Sequence, residues 1–212
     1  MYSNIGYGMR MTPGVKNLIF ANVAVFLGQY VGLISSKIFG LVPYLVIHNF
    51  MIWQPITYMF LHGGFWHIML NMFILWMFGT RIETTVGTKE FIKYYFFTGI
   101  IAGVAIVLWN WEQPYITIGA SGAIYGILAA YALFYPEEYI VLLFPPIPIK
   151  AKYYALIFGS IEFLSLSSQD GISHIAHLAG MVAGFFYLRH RYKHWGVGRN
   201  FFRDFFKKKD IY

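Results

Sequence analysis

Long apolar stretches dominate the chain and predict its architecture. Six of them, each 16 to 23 residues long, lie at 16–35, 57–79, 91–109, 120–135, 151–168 and 172–189. A helix needs about 20 mostly apolar residues to cross the hydrocarbon core of a bilayer. The pattern therefore predicts an all-α, polytopic membrane protein folded as a bundle of six transmembrane helices.

Basic residues set the orientation predicted for these spans. Fifteen of the 16 Lys and Arg residues lie at the two ends of the chain or in the connections after the second and fourth spans, and Lys37 is the exception. Positive charge concentrates in cytoplasmic loops. We therefore expect cytoplasmic N- and C-termini, a membrane domain over residues 1–195 and a basic cytoplasmic tail over residues 196–212.

Composition excludes several other classes of protein. Charged residues are 12% of the chain and hydrophobic residues 58%, whereas a soluble domain has about 25% charged residues. Cysteine is absent, which excludes a disulfide framework and a thiolate metal site. The net charge of +7 lies at membrane boundaries, so we expect lipids and no nucleic acid as partners. We predict a multi-pass protein of the bacterial cytoplasmic membrane without a cofactor, and the oligomeric state stays open.

The fourth span is short and begins with a serine between glycines. Only 15 residues separate Ser121 from Pro136, which is about 22 Å of helix, against a hydrocarbon core of about 30 Å. Ser121 is therefore predicted to lie below the outer surface, with Gly119 before it and Gly122 after it. A helix N-terminus favours a developing oxyanion, although the serine has a simpler interpretation as an N-cap.

Small residues at every fourth position predict that two spans pack closely. They are Gly122 and Gly126 on the fourth span, and Ala176, Gly180 and Gly184 on the sixth. Docking these stripes brings His177 beside Ser121. An ionisable residue inside a membrane is a candidate functional group, and a packing histidine is the alternative. His174, one turn outward, is expected to lie behind His177 or to be exposed.

The second span carries two hydrogen-bond donors on one face. His67 and Asn71 are four residues apart, so they share a side of the helix. They are suited to donate to an oxyanion, and a structural bond between helices is the alternative. A serine, a histidine and two donors, with no carboxylate expected near them, make the inventory of a Ser–His dyad with an oxyanion hole. The histidine spacings predict no metal site.

The same residues form motifs that resemble those of a known family, the rhomboid intramembrane serine proteases. H-x-x-x-N occurs at 67–71, G-x-S-G at 119–122, A-H-x-x-G at 176–180, and G-x-x-x-E-x-x-x-G at 79–87 with Glu83 at its centre. Their order and spacing cover residues 53–184, most of the chain. The first three of these motifs lie on the second, fourth and sixth spans, in the same order as in the family.

This resemblance implies a fold and a set of roles. The fold would be a six-span rhomboid-like bundle with Ser121 as nucleophile and His177 as general base. Asn71, His67 and the backbone N–H of Ser121 would form the oxyanion hole. Tyr125 would pack against the catalytic imidazole, supported by the close helix contacts of Gly119, Gly122, Gly180 and Gly184. The substrates would be transmembrane proteins with a single span, cut near the outer face.

Two positions depart from the simplest form of that pattern. Gln54 follows Trp53 where the family often has arginine, which puts the anchoring of the first outer loop or its lipid contact in question. Glu162 lies inside the fifth span, which resembles the mobile gate of the family. Its carboxyl group is either a structural hydrogen-bond partner or a group that tunes gating or substrate choice.

Other functions are less consistent with the chain. A catalytically inactive, rhomboid-like binder of membrane proteins is the main alternative, and it is disfavoured because both dyad residues are present. A transporter is disfavoured because the two halves carry no repeated pair of broken helices. A hydrolase acting on lipids would use the same dyad, and the sequence leaves that possibility open.

Overall fold

Ten α-helices and one short hairpin make up the part of the chain that the computed structural model describes, residues 10–141, 146–168, 171 and 173–193. The helices are α1 (Pro13–Tyr30), α2 (Ser36–Phe39), α3 (Pro43–His48), α4 (Gln54–Thr57), α5 (Phe65–Ile74), α6 (Thr80–Val86), α7 (Thr88–Trp109), α8 (Ser121–Phe134), α9 (Ala151–Leu164) and α10 (His174–Arg191). The tail predicted at 196–212 lies outside the described residues.

Helices occur on all six predicted stretches, but the second is not one straight span. A short helical segment over Gln54–Phe60 meets a longer one over Phe65–Val86 at 95°. Gly63 and Gly64 lie at this bend, where the absence of side chains weakens helix formation. The longer segment joins α5 to α6 through a π-helical turn, Leu75–Gly79, so the helix extends past the predicted end at 79.

Length and hydropathy single out α7 as a helix able to cross a membrane by itself within the described residues, and the bent pair would add a second span. The α8 and α9 helices have 14 residues each, about 21 Å, which is short of the hydrocarbon thickness. The number of crossings and the orientation of the termini therefore stay predictions.

A two-stranded hairpin interrupts the all-α pattern, and the sequence did not predict it. Strands β1 (Tyr139–Val141) and β2 (Pro148–Lys150) pair antiparallel between α8 and α9. The carboxylate of Glu137 forms ion pairs with Nζ of Lys150 at 2.7 Å and with Nζ of Lys152 at 2.6 Å. The hydrogen bond from Lys150, together with that from Lys152, lowers the pKa of Glu137 to about 2. These ion pairs connect the end of α8 to the start of α9.

The α8 helix is the centre of the bundle. Ten of its 14 residues are buried, which is typical of a helix that is apolar on all sides and enclosed by others. It packs between α7 and α10. Two tyrosine hydroxyls reinforce this core: Tyr94 donates to the carbonyl of Gly126 at 2.5 Å, and Tyr58 donates to that of Gly99 at 2.7 Å.

Glycines allow α8 and α10 to touch through their backbones. A Cβ atom on Gly180 would overlap the carbonyl oxygen of Gly122, and one on Gly184 would lie 3.2 Å from the Cα of Gly126. The predicted stripes therefore do meet. On the opposite side of α8, a Cβ atom on Gly126 would overlap Thr98 of α7, 2.7 Å away. This glycine therefore permits the close contact of α8 with α7 as well as that with α10.

Glu83 of α6 holds the start of α1 in place. Its buried carboxylate accepts the backbone N–H groups of Gly14 and Val15, both at 2.8 Å, and the hydroxyls of Thr12 and Thr88. Two of these donors belong to the first turn of α1, whose N–H groups have no partner within the helix. The G-x-x-x-E-x-x-x-G motif thus has a structural function, which is to cap another helix.

Gln54 anchors the connection between α1 and α5, which the sequence predicts to be the first outer loop. It is fully buried, accepts the N–H of Val42 at 2.9 Å and donates to the carbonyl of Ile38 at 3.2 Å. Trp53 donates to the same carbonyl at 3.0 Å. The loop is therefore anchored without an arginine, and the doubt raised by the sequence about anchoring is removed.

Replacing Glu83 by glutamine should destabilise the bundle. Glutamine keeps the shape but loses the charge, and hydrogen bonds to a charged group contribute about 1.5–3 kcal/mol each. We expect the thermal midpoint in detergent to fall by several degrees. The matched control is Glu112→Gln, because Glu112 is exposed; its midpoint should equal that of the unmodified protein. Equal midpoints for both variants would contradict the capping role.

Adding a methyl group at Gly180 should separate α8 from α10. Overpacking of this kind costs about 1–3 kcal/mol, so Gly180→Ala should lower the thermal midpoint, and Gly180→Leu should lower it further. Gly159→Ala is the control, because its new methyl group would meet only the flexible Met181 side chain at 3.1 Å. A Gly180→Ala variant as stable as this control would show that the backbones do not touch.

Candidate active site

Backbone hydrogen bonds hold the segment that leads to Ser121. Thr117 and Leu41 exchange N–H···O bonds of 2.8 and 2.9 Å, and the N–H of Gly119 donates to the carbonyl of Tyr58 at 2.9 Å. Gly119 has φ +130°, and a Cβ atom there would lie 2.8 Å from Nε2 of His67. Glycine is required for both reasons, the backbone angle and the nearby ring.

Ser121 is the first residue of α8, and Ala120 occupies the capping position. The interpretation of Ser121 as a simple N-cap is therefore wrong. The hydroxyl instead lies 2.8 Å from Nε2 of His177, which is one turn into α10. The His177 ring stacks on Tyr125 with centroids 4.2 Å apart and planes 7° from parallel. The predicted pair is thus in hydrogen-bond contact, and the imidazole is fixed by an aromatic face.

His67 and Asn71 lie on the cavity side of α5, as their spacing predicted. Nδ1 of His67 accepts the N–H of Gly63 at 3.3 Å, so in the neutral ring the proton is on Nε2, the nitrogen that faces Gly119. Asn71 donates one amide hydrogen to the carbonyl of His67 at 2.8 Å, which leaves its second amide hydrogen for another acceptor.

These groups share one cavity of about 1150 Å³. Its wall includes side chains from α5, α8, α9 and α10, and the predicted residues on it are Ser121, His177, His67, Asn71, Tyr125 and Gly119. Gly122, Gly180 and Gly184 are not on this wall; they lie in the helix contacts behind it. The arrangement presents a hydroxyl, a base and N–H donors to one space.

A carboxylate lies next to the histidines, contrary to the expectation from sequence. Glu162 of α9 is buried, with Oε2 2.6 Å from Nδ1 of His174 and Oε1 3.1 Å from Nδ1 of His177. Tyr125 also donates its hydroxyl to Oε1. His174 is therefore buried behind the dyad and not exposed. The spacing of residues along the chain could not reveal this contact, because Glu162 belongs to a different helix.

The same three residues could in principle hold a metal ion. Glu162, His174 and His177 place one potential ligand atom each within 4.8 Å of one another. Two of the separations, 2.6 and 3.1 Å, are those of directly hydrogen-bonded or ion-paired groups. The hydrogen bond between Glu162 and His174 and the close contact between Glu162 and His177 account for the arrangement without an ion.

Comparison with known proteins places the chain in a family. The sequence pattern of the Rhomboid domain matches residues 49–193. The chain is 31% identical over 136 residues to "Rhomboid protein 1, mitochondrial" of Saccharomyces cerevisiae, which covers 60% of this chain and 38% of that protein. It is 30% identical over 180 residues to "Rhomboid-like protein 11, chloroplastic" of Arabidopsis thaliana, with 79% and 63% coverage.

A bacterial relative is similar to a comparable degree. "Rhomboid protease GluP" of Bacillus subtilis is 29% identical over 140 residues, which is 63% of this chain and 25% of that protein. In all three pairs the match spans less than two thirds of the relative. The region that matches the Rhomboid domain, residues 49–193, contains every residue of the cavity wall named above. The chain therefore belongs to the rhomboid family of integral membrane proteins, which includes intramembrane serine proteases.

Proposed function

We propose that the chain is an intramembrane serine endopeptidase that hydrolyses peptide bonds of single-span membrane proteins near the outer face of the membrane. The observation that carries this proposal is the 2.8 Å contact between Ser121 Oγ and His177 Nε2 on the wall of a cavity. A nucleophile within hydrogen-bond reach of a base is the minimum needed for covalent catalysis.

The first step forms an acyl-enzyme. Oγ of Ser121 attacks the carbonyl carbon of the scissile peptide bond while Nε2 of His177 takes the hydroxyl proton. The carbonyl oxygen becomes an oxyanion, which the Nε2–H of His67, the amide of Asn71 and the N–H of Ser121 are placed to stabilise. The intermediate collapses when the imidazolium gives its proton to the leaving nitrogen. Water then attacks the acyl group, with His177 again as base.

The proposed topology determines which part of a substrate can reach this site. We place the helices on the six apolar stretches across a bacterial cytoplasmic membrane, with both termini in the cytoplasm. The distribution of basic residues supports this orientation. Ser121 then begins a 14-residue helix and lies within the outer half of the bilayer. A substrate span reaching this depth must leave its helical form locally, since a helical peptide bond is shielded by its own hydrogen bonds.

The dyad predicts a characteristic pattern of losses. Ser121→Ala and His177→Ala should each abolish cleavage of a single-span reporter in liposomes, and the double variant should be no worse, because the two groups act as a unit. A fluorophosphonate should label the unmodified protein and not Ser121→Ala. Ser160→Ala, at an exposed position on α9, is the control and should keep full activity. Clearly additive losses, or cleavage by Ser121→Ala, would contradict the dyad.

A labelled but proteolytically silent protein would point to a different acyl substrate, such as a lipid ester. A protein that neither cleaves nor labels would favour the inactive binder. These outcomes separate an enzyme from a binder before any natural substrate is known.

Asn71→Ala tests the oxyanion hole. Removal of one donor typically lowers kcat by about 10²–10³-fold, and two donors remain here, so we expect a loss of about 10²-fold or less with nearly unchanged KM. Asn49→Ala, at an exposed position, should behave like the unmodified protein. A large rise in KM with normal kcat would instead assign Asn71 to substrate binding.

A further inference from the structure

Glu162 is a buried carboxylate that the proposed chemistry does not use. It belongs to α9, yet its hydrogen-bond partners lie on α8 and α10. Oε1 accepts the hydroxyl of Tyr125, and Oε2 is 2.6 Å from Nδ1 of His174. Two donors thus fix both oxygens of the carboxylate. Burial of a charged group is unfavourable unless it is paired, and these contacts supply the pairing.

The remaining neighbour of this carboxylate is the proposed catalytic base. Nδ1 of His177 is 3.1 Å from Oε1, yet within the described residues this buried nitrogen has no hydrogen-bond partner. A buried donor without a partner costs about 1–3 kcal/mol. Catalytic hydrogen bonds are often poorly aligned without substrate and tighten in the reacting complex.

We propose that Glu162 is a positioning residue for His177, which extends the pair into a Ser121–His177–Glu162 relay whose carboxylate is supplied by α9. This inference rests on the proposed protease function. The carboxylate accepts Nδ1–H, which holds the proton on that nitrogen and leaves Nε2 unprotonated toward Ser121. That tautomer is the one a general base requires.

The proton balance of the reaction is unchanged by this role. The proton of Ser121 Oγ moves to Nε2, and the resulting imidazolium is stabilised by the Glu162 carboxylate at its other nitrogen. Nε2–H is then given to the leaving nitrogen of the peptide. Glu162 stays ionised throughout, and Nδ1–H stays on the ring. The carboxylate therefore acts through His177 and touches no reacting atom.

Two further residues keep the carboxylate in place. Tyr125 stacks on the His177 ring and donates its hydroxyl to Glu162, so one side chain orients two of the three members of the relay. His174, the first residue of α10, forms a hydrogen bond with the other oxygen of the Glu162 carboxylate. His67 also faces the cavity near His177. Among these neighbours from α5, α8, α9 and α10, Glu162 is the one carboxylate.

The experiment separates kcat from KM. Glu162 acts only through His177, so Glu162→Gln should lower kcat/KM at neutral pH by about 10- to 100-fold, part of the ~10²–10⁴-fold that a positioned base contributes. The loss should appear in kcat, with KM nearly unchanged. The rate of fluorophosphonate labelling of Ser121 should fall by a similar factor.

Two companion variants separate positioning from stability. Tyr125→Phe keeps the stacked ring but loses the hydroxyl, and it should give a smaller change in the same direction. Glu112→Gln is the matched control for loss of one carboxylate, because Glu112 is exposed; its kcat and KM should equal those of the unmodified protein. Thermal midpoints are measured for every variant, and activity is measured with and without a chelator.

Several results would overturn the inference. If Glu162→Leu is destabilised while Glu162→Gln keeps both the thermal midpoint and the kcat of the unmodified protein, then the carboxyl group has only a structural role. A cleavage rate in Glu162→Gln or Glu162→Leu above that of the unmodified protein would make Glu162 a latch. Activity lost on chelation would assign Glu162 to a metal ion. If the unmodified protein neither cleaves nor labels, the protease function itself fails, which is a different result.

Discussion

The contact between the backbones of α8 and α10 is the constraint on which the site depends. Ser121 and His177 belong to different helices, and their 2.8 Å contact occurs where those helices pack through glycines. Gly180 lies directly over the carbonyl of Gly122. Because lipid supplies no hydrophobic force between helices, such close van der Waals contact is what holds them together.

Polar groups on other helices convert this contact into a rigid scaffold. Glu83 secures the first turn of α1, and Gln54 secures the long connection between α1 and α5, so both are held by buried hydrogen bonds. Within a membrane-like interior each such bond has few competitors, since unsatisfied polar groups are costly there. Apolar packing thus determines the distance between helices, and buried polar contacts determine how their ends are placed.

The sequence predicted much of the site, and its failures have a common cause. Ser121 and His177 could be paired because local spacing revealed two small-residue stripes, and the helix face of His67 followed from its four-residue spacing to Asn71. The partnership of Glu162 with the histidines was missed, as was the hairpin after α8. Both depend on how separate segments pack, which no periodicity encodes. The sharp bend before α5 was likewise hidden inside a continuous apolar stretch.

The short helix α9 has a consequence for the surrounding lipid. Its 14 residues provide about 21 Å of helix, and its exposed side chains include Ile161, Phe163 and Leu164. In the topology proposed above α9 crosses the membrane, and a bilayer of ordinary thickness must then thin around this helix or leave its ends in hydrocarbon, at a cost that rises with each ångström of hydrophobic mismatch. The acyl chain length of the lipid therefore acts on the helix that carries Glu162. The environment of the site changes with the thickness of the membrane.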